Sequence, residues 1–372
     1  MSKIVLFGAT GYTGRLTAEA LVKRGARPLL AARNSQRLTQ LASELGGLDT
    51  AVADVSRPES VRELLSQGDV MLSTVGPFVQ WGAPAIEAAI DAGATYIDST
   101  GEPPFIRDVF ERYDAAARSS GSGLITAFGY DFVPGNLAGA LALERAGDSA
   151  VKVDLGYFFT GHPGRGAASG GTMASLAGVV LAPAFAFHDG RIVTERSAKR
   201  VRTFESNGKQ LTGVSMGSSE HFALPRIHKP LREVDPYLGW FGPASRAMQA
   251  MSLSGEIPGV RTGTEKLARS FVKGSTGGPD ESARSRSGSL VIAEALDAAG
   301  NQLARVDLTG PNAYTFTGDI LAWGAQRALE HGVSGAGALG PVEAFGIREL
   351  EAGCAEVGLV EEKVTAKAGA TA

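Results

Sequence analysis

The sequence has a single cysteine, Cys354, among its 372 residues. One cysteine excludes an internal disulfide and a cysteine-rich metal site. Apolar runs are short: Lys3–Phe7 ends at Gly8, and the most apolar stretch, 176–187, contains Pro183 and is too short to cross a bilayer. We therefore expect no secretory signal, no integral membrane segment and a cytoplasmic location.

An excess of one charge is also missing, because 36 basic residues oppose 39 acidic ones for a net charge of −3. That balance disfavours nucleic acid as a partner and leaves a small-molecule substrate as the expected one. The histidines show no HExxH or similar spacing, so we predict no catalytic metal. No tyrosine has a lysine four positions later, and this absence disfavours a short-chain dehydrogenase.

Glycine, by contrast, is abundant, with 49 residues. Gly8, Gly11 and Gly14 lie between the strand-like run 3–7 and a helical pattern over 15–24. In such a motif the first glycine permits a tight turn, the second lets the backbone approach a pyrophosphate, and the third allows close helix packing. The helix N-terminus would then face the phosphates with unpaired N–H groups. The motif predicts a dinucleotide site.

The second predicted strand, 28–32, indicates which dinucleotide is bound. No aspartate or glutamate lies between Glu19 and Glu44, although an NAD-selective site normally has an acidic residue here. Instead Arg33 follows the strand and Arg37 comes one helical turn later. Guanidinium groups pair well with a 2′-phosphate, so we predict NADP as the cofactor. The alternative is that both arginines only solubilise the start of a helix.

Strand-like and helical segments alternate to about residue 130 and are mixed from Val151 onward. The predicted fold class is α/β, with an N-terminal Rossmann doubly wound parallel sheet and a second α+β domain. The expected domain limits are 1–135 for NADP binding, 136–330 for substrate binding and dimerisation, and 331–372 for a C-terminal helical segment and tail.

The second part of the chain has a less regular pattern, for which we predict strands, helices, a mobile loop and a frayed tail. The expected strands are 151–159, 191–202, 210–225, 289–296 and 302–309. The expected helices are 170–181, 236–251, 264–272 and 319–329, and 176–187 is interpreted as a buried helix ending near Pro183. The expected loop is 276–289 and the expected tail is 363–372.

Four segments together resemble the saccharopine dehydrogenase-like oxidoreductases, and within them the bacterial trans-acting enoyl reductases. They are GATGYTG (8–14), AARN (31–34), VGPFVQWGAPAIEAAIDAGATYIDSTGEP (75–103) and FGYDFVPGNLAG (128–139). The resemblance is specific over about residues 1–140. It implies nicotinamide-dependent reduction, an open sheet in the second domain and a homodimer. The chain departs from it at GYDFVP (129–134), where the family usually has GFDSxP, and at Phe78, where relatives often have tyrosine.

By position, the resemblance implies a set of cofactor contacts. Phosphate contacts would come from Gly8, Thr10, Gly11, Tyr12, Thr13 and Gly14, and 2′-phosphate contacts from Arg33 and Arg37, with Asn34 beside them. Adenine contacts would come from Asp54 and Val55, and ribose and nicotinamide contacts from Thr74, Val75, Gly76 and Pro77.

Hydride transfer also needs a proton source, and candidates are few. Tyr130 and Asp131 follow a predicted strand at the carboxyl edge of the sheet, where ligands bind in such folds, and Glu102 follows the strand before it. We predict these three as catalytic, with His162 and His221 as weaker candidates. For each, the alternative is a packing or turn residue.

The predicted function is NADPH-dependent reduction of an activated double bond in an enoyl-type substrate. One alternative is an imine or amino-acid-type reductase, for which Arg165, Arg226 and Lys229 are candidate cations for substrate carboxylates. Another is a non-catalytic NADP-sensing protein on the same fold.

Overall fold

A computed structural model describes residues 2–161, 183–240, 242, 245–254 and 277–362. The predicted helices at 170–181 and 264–272, the predicted tail at 363–372, and Arg165 and His162 lie outside these ranges.

The first sheet has seven parallel strands in the order β15-β6-β5-β4-β1-β2-β3. Their bounds are β1 Ile4–Phe7, β2 Leu29–Ala32, β3 Thr50–Val52, β4 Val70–Ser73, β5 Thr95–Asp98, β6 Gly123–Ile125 and β15 Gly337–Ala338. Every residue of β1 and β4 is buried, as expected for central strands covered on both faces by helices. The strand order reverses between β1 and β4, which is where ligands bind in open α/β sheets.

Short helices connect these strands. They are α1 Tyr12–Lys23, α2 Ser35–Glu44, α3 Pro58–Arg62, α4 Phe78–Trp81, α5 Ala83–Ala92, α6 Pro103–Asp108 and α7 Asp114–Ser120, with a π-helical turn at Val109–Tyr113. The turn joins α6 directly to α7. Helix α5 ends at Gly93, whose φ of 64° places it in the left-handed region that glycine adopts without strain.

The second sheet has nine strands, most of them antiparallel, and it confirms the predicted mixed second domain. The strands are β7 Lys152–Gly161, β8 Pro183–His188, β9 Arg191–Arg196, β10 Val201–Ser206, β11 Lys209–Ser215, β12 Glu233–Leu238, β13 Ser287–Leu296, β14 Gln302–Gly310 and β16 Val360–Glu361. The helices after α7 are α8 Val133–Ala146, α9 Glu220–Ile227, α10 Ser245–Ser254, α11 Glu281–Ser285, α12 Ala313–His331, α13 Pro341–Phe345 and α14 Ile347–Glu356.

Several local predictions in this part were wrong. The expected strand 210–225 ends at Ser215 and continues as α9, and the expected helix 236–251 begins as β12. The described part of 176–187 is a strand, β8, and not the end of a helix. The described part of the expected loop 276–289 contains α11 and the first residues of β13. Apolar residues in these segments pack against neighbouring strands, and this tertiary contact overrides the local pattern.

The chain returns to the first sheet near its end. Helix α12 makes its main contacts with α1, and β15 adds the outer strand beside β6. The expected domain limits stay a prediction, but these contacts place residues 313–331 against the first sheet and not with the second. Among the helices within the described ranges, none has the length and apolar character needed to span a bilayer.

Candidate functional site

The glycine-rich loop has the geometry that a pyrophosphate requires. A Cβ on Gly14 would lie 2.2 Å from the carbonyl oxygen of Gly8, so the loop and α1 pack without room for a side chain. A Cβ on Gly11 would meet the Gly8 oxygen at 3.3 Å and no other atom of the described residues within 4 Å, so this position borders open space. Helix α1 begins at Tyr12, immediately after Gly11. Its unpaired amides therefore face an open cradle that fits a dinucleotide pyrophosphate.

Thr74 holds this loop in place from the end of β4. Its backbone amide donates to the Phe7 carbonyl at 2.9 Å, and its hydroxyl lies 3.2 Å from the Gly8 carbonyl oxygen. A Cβ on Gly8 would meet the Thr74 hydroxyl at 2.7 Å and a Val75 methyl at 2.9 Å. Thr74 and Val75 thus border the cradle on the side where the strand order reverses.

The predicted 2′-phosphate residues lie at the end of β2. Arg33 and Arg37 are exposed, whereas the Asn34 side chain accepts a hydrogen bond from the Arg37 amide at 2.9 Å and caps α2. Hydrogen bonds from Ser56 lower the pKa of the nearby Asp54 carboxyl, with a smaller contribution from the Arg33 charge. Strands β2 and β3 thus bring Arg33 and Asp54 together, and Asn34 already has a capping role.

The remaining predicted cofactor residues lie on the same edge of the sheet. Thr10 and Thr13 are half-buried in the loop and the first turn of α1, and the Thr13 carbonyl accepts from Thr17 at 2.9 Å. Val55 is half-buried after β3, and Gly76 and Pro77 connect β4 to α4.

Glu102 is a structural residue in this arrangement. One of its carboxylate oxygens accepts from the Phe78 amide at 2.8 Å and the other from the Val79 amide at 3.0 Å. Both amides belong to the first turn of α4, so Glu102 fixes the loop that carries Gly76 and Pro77. Burial raises the pKa of its carboxyl, and the two amides oppose that effect. The two amide hydrogen bonds stabilise the charged form of the carboxyl and so oppose proton donation.

Asp98 ties the ends of β5 and β6 together. It accepts hydrogen bonds from the Thr100 amide at 2.8 Å, the Ala127 amide at 3.0 Å and the Thr126 hydroxyl at 2.8 Å. Burial raises its pKa to about 6 in spite of these bonds. This network aligns the segment that leads to Asp131.

Asp131 is the acid that the structure leaves available. It is half-buried, and within the described ranges it has no hydrogen-bond partner. Desolvation raises the pKa of its carboxyl to about 7. The side chain lies beside Gly101, where a Cβ would come within 2.9 Å of Asp131 Oδ2. The loops after β5 and β6 therefore bring Gly101 and Asp131 together.

Tyr130 faces the second sheet. Its hydroxyl donates to the carbonyl of Phe158 at 3.3 Å, and burial raises its pKa above the ordinary tyrosine value. Its ring lies 6.2 Å from that of Phe159, which stacks at 4.8 Å on Trp240. Phe159 is 37% exposed, so the stack presents an apolar surface.

Two buried residues near Asp131 were missed from the sequence. The Tyr157 hydroxyl accepts from the Gly135 amide at 2.9 Å and donates to Glu220 in a short hydrogen bond. Burial raises the pKa of the Glu220 carboxyl to about 7, and the charge of Asp131 contributes. No local signal marks Glu220, because it comes from a segment predicted as a strand.

The other candidates lie elsewhere. His221 is buried against Phe185 and hydrogen-bonded to Ser218, and burial lowers its pKa to about 4, so the ring is neutral at pH 7. Arg226 donates to the Ala338 carbonyl at 2.6 Å, and Lys229 is exposed in the same region. Neither cation contacts the segments around Asp131.

Residues 4–125 match the sequence family described as the saccharopine dehydrogenase NADP binding domain. The chain is 39% identical to a trans-acting enoyl reductase of Mycobacterium ulcerans over 141 residues, 36% of this chain and 34% of the relative. It is 35% identical over 179 residues to a Mycobacterium tuberculosis protein provisionally named a trans-acting enoyl reductase, covering 46% of this chain and 43% of that one. The match thus spans less than half the length of these relatives.

The fold is also similar to that of apo saccharopine dehydrogenase (L-Glu forming) from Saccharomyces cerevisiae. The TM-score is 0.61 at 12% identity, and the similarity covers 97% of this chain and 99% of that one. The resemblance to saccharopine dehydrogenase-like proteins is therefore confirmed in sequence over residues 4–125 and in fold over nearly the whole chain. The sequence match also confirms the predicted NADP-binding domain.

Proposed function

We propose that this protein is an NADPH-dependent reductase that transfers a hydride to an activated carbon–carbon double bond, with Asp131 as the proton donor. The observation that carries the proposal is the Asp131 carboxyl, which has no hydrogen-bond partner among the described residues and a pKa of about 7, at the carboxyl edge of an NADP-binding sheet. A general acid works best when its pKa lies near the working pH. The names of the mycobacterial relatives support the enoyl type of substrate.

In this proposal the glycine-rich loop binds the pyrophosphate, and Arg33 and Arg37 bind the 2′-phosphate. The bound cofactor supplies the hydride. Thr74–Pro77 position its nicotinamide end, and Glu102 keeps that loop rigid. With the cofactor bound, the β-carbon of the substrate would receive the hydride and Asp131 would give its proton to the α-carbon. The products would be the saturated substrate and NADP⁺, and solvent would reprotonate Asp131.

The side of the site toward β7 supports an apolar substrate. The partly exposed rings of Phe159 and Trp240 stack on each other, and Phe159 also stacks on the buried ring of Tyr130, which precedes the proposed acid Asp131. Flat apolar surfaces favour conjugated or aliphatic groups over charged ones. Position 78 is a phenylalanine, which packs on Phe105 at 5.5 Å and adds no polar group.

An imine or amino-acid-type reductase is the second candidate, because the fold is similar to that of a saccharopine dehydrogenase. Its substrate carboxylates would need fixed cations. Arg226 and Lys229 lie by α13, where the Glu343 carboxylate is 3.7 Å from Arg226. Their placement favours the enoyl proposal over this one.

A substrate panel tests the proposal. NADPH oxidation would be followed by absorbance with enoyl thioesters, cyclic imines and 2-oxo acids plus amines, for the natural protein and for Asp131→Asn. We expect turnover only with enoyl substrates and its loss in Asp131→Asn, whose affinity for NADPH should be unchanged. Turnover of imines would favour the second candidate. Tight NADPH binding without turnover of any substrate would favour a sensing protein.

A homodimer, a cytoplasmic location and the domain limits at 135 and 330 stay proposals from the sequence. The family resemblance supports the dimer, and light scattering on the purified protein would test it.

A further inference from the structure

A segment of the second domain lies on the glycine-rich loop of the first. The Tyr12 hydroxyl, at the start of α1, donates to the Pro279 carbonyl at 2.5 Å. The Tyr12 ring also contacts Gly278, where a Cβ would come within 2.5 Å of it, and packs edge-on against Tyr314 at 5.3 Å. Residues 278–284 are therefore seated beside the pyrophosphate cradle although they lead into β13 of the other sheet.

Arg284 is the cation that this segment brings to the cradle. One of its terminal nitrogens donates to the Tyr12 hydroxyl at 3.1 Å and to the Pro279 carbonyl at 2.9 Å. The residue is half-buried, and within the described part of the chain no carboxylate pairs with it. Its remaining guanidinium N–H groups stay available for an acceptor.

Arg15, in α1, differs from Arg284 in having carboxylate partners. Arg15 lies three residues after Tyr12, yet Glu19 at 2.9 Å and Glu44 at 2.8 Å neutralise its charge. Arg15 is therefore poorly suited to bind an anion. Arg284 has no such carboxylate partner among the described residues, and it contacts Tyr12 at the N-terminus of α1, whose dipole also favours an anion.

We propose that Arg284 binds the pyrophosphate of the dinucleotide, so that the second domain completes the cofactor site. The Tyr12 hydroxyl and the Pro279 carbonyl hold one terminal nitrogen of the guanidinium, and its other N–H groups would bind the phosphate oxygens. A guanidinium is well suited to this, because its planar fork bonds two oxygens at once. The inference rests on NADP binding, which is part of the proposed function, but not on the identity of the substrate.

The pyrophosphate is common to NADPH and NADH, whereas the 2′-phosphate belongs to NADPH alone, and this difference defines the test. Binding of both nucleotides would be titrated by fluorescence for the natural protein, Arg284→Ala and Arg33→Ala. We expect Arg284→Ala to weaken both by roughly 10- to 100-fold, with their ratio unchanged. Arg33→Ala should weaken NADPH alone.

Three further variants separate charge from structure. Arg286→Ala removes an exposed arginine two positions away, bonded to Ser282, and should bind both nucleotides like the natural protein. Tyr12→Phe removes the tether but keeps the charge, so it should cost less affinity than Arg284→Ala. Arg284→Lys should restore part of the loss.

Normal affinity of Arg284→Ala for both nucleotides would overturn the inference. Equal losses of nucleotide affinity in Arg284→Ala and Tyr12→Phe would also overturn it, because they would indicate that Arg284 only holds the segment in place. If the natural protein binds neither nucleotide, the inference and the proposed function both fail. If it binds NADPH as expected but reduces no substrate, only the proposed function fails. Thermal unfolding of each variant would establish that it is folded at the temperature of the titration.

Discussion

Glu102 accepts hydrogen bonds from two consecutive backbone amides, that of Phe78 at 2.8 Å and that of the next residue at 3.0 Å. These two hydrogen bonds join the loop after β5 to the loop after β4. The loop after β4 is expected to contact the nicotinamide ribose. We therefore propose a positioning role for Glu102, which the sequence predicts as catalytic.

Glu102→Ala should therefore destabilise the protein and weaken NADPH binding. The buried amide of Phe78 and the partly buried amide of Val79 would lose their acceptors, at a cost of about 2–4 kcal/mol in the free energy of unfolding. Chemical denaturation and NADPH titration measure the two effects. Glu111→Ala, on the exposed side of the next helical segment, serves as the control and should change neither. A fully stable Glu102→Ala that binds NADPH normally but has no activity would instead favour a catalytic role.

Alanine at Gly11 and at Gly14 should have different effects. At Gly14 the new Cβ would lie 2.2 Å from the Gly8 carbonyl oxygen, so both folding and NADPH binding should suffer. At Gly11 the Cβ enters open space where the pyrophosphate is expected, so binding should be lost while the melting temperature changes little. Thermal unfolding together with NADPH titration tests this. Normal NADPH affinity in Gly11→Ala would contradict the proposed location of the pyrophosphate.

Arg33→Ala should reduce the preference for NADPH over NADH by roughly 10- to 100-fold, because a charge-assisted hydrogen bond to the 2′-phosphate is lost. The ratio of the two dissociation constants is the measurement. Arg57→Ala is a suitable control, since Arg57 is also exposed and also acts on Asp54, but lies beyond β3. An equal effect of both substitutions would indicate a general loss of positive charge and not a specific contact.

Reductase activity should fall as the pH rises through about 7, because Asp131 donates its proton only when it is protonated and burial raises its pKa to about 7. The rate at saturating substrate, measured from pH 5 to 9, gives the apparent pKa. In Glu220→Gln this pKa should stay near 7, because desolvation of the Asp131 carboxyl is what raises it. A profile without this inflection would exclude Asp131 as the acid.

Stability should also depend on pH through Glu220. Its carboxyl has a pKa of about 7 in the folded protein and an ordinary acidic value when unfolded, so the folded state binds the proton more tightly. The free energy of unfolding should therefore decrease as the pH rises from about 4.5 to 7. Glu220→Gln, which does not titrate, should lose less stability over that range. Urea unfolding at pH 5 and pH 8 checks this, and an equal decrease in both proteins would contradict it.

The sequence was sufficient for the class of the first domain. Buried central strands are read directly as apolar runs, and Gly8, Gly11 and Gly14 have a spacing that few structures other than a strand–turn–helix can use. The absence of an acidic residue after β2 also indicated NADP, because cofactor choice depends on side chains next to that strand in the chain.

Tertiary structure decided the roles of the acids and the completion of the site. Glu102 and Asp131 both follow a strand at the same edge of the sheet, so the sequence does not distinguish them. In the structure Glu102 accepts hydrogen bonds from two amides, whereas Asp131 has no hydrogen-bond partner in the described part of the chain. The difference arises because loops after different strands bring different groups beside the two carboxyls. Arg284 lies 272 residues from Tyr12 and no local pattern connects them. Contacts of that kind depend on how two sheets pack, whereas sequence periodicity reports only which face of each element is buried.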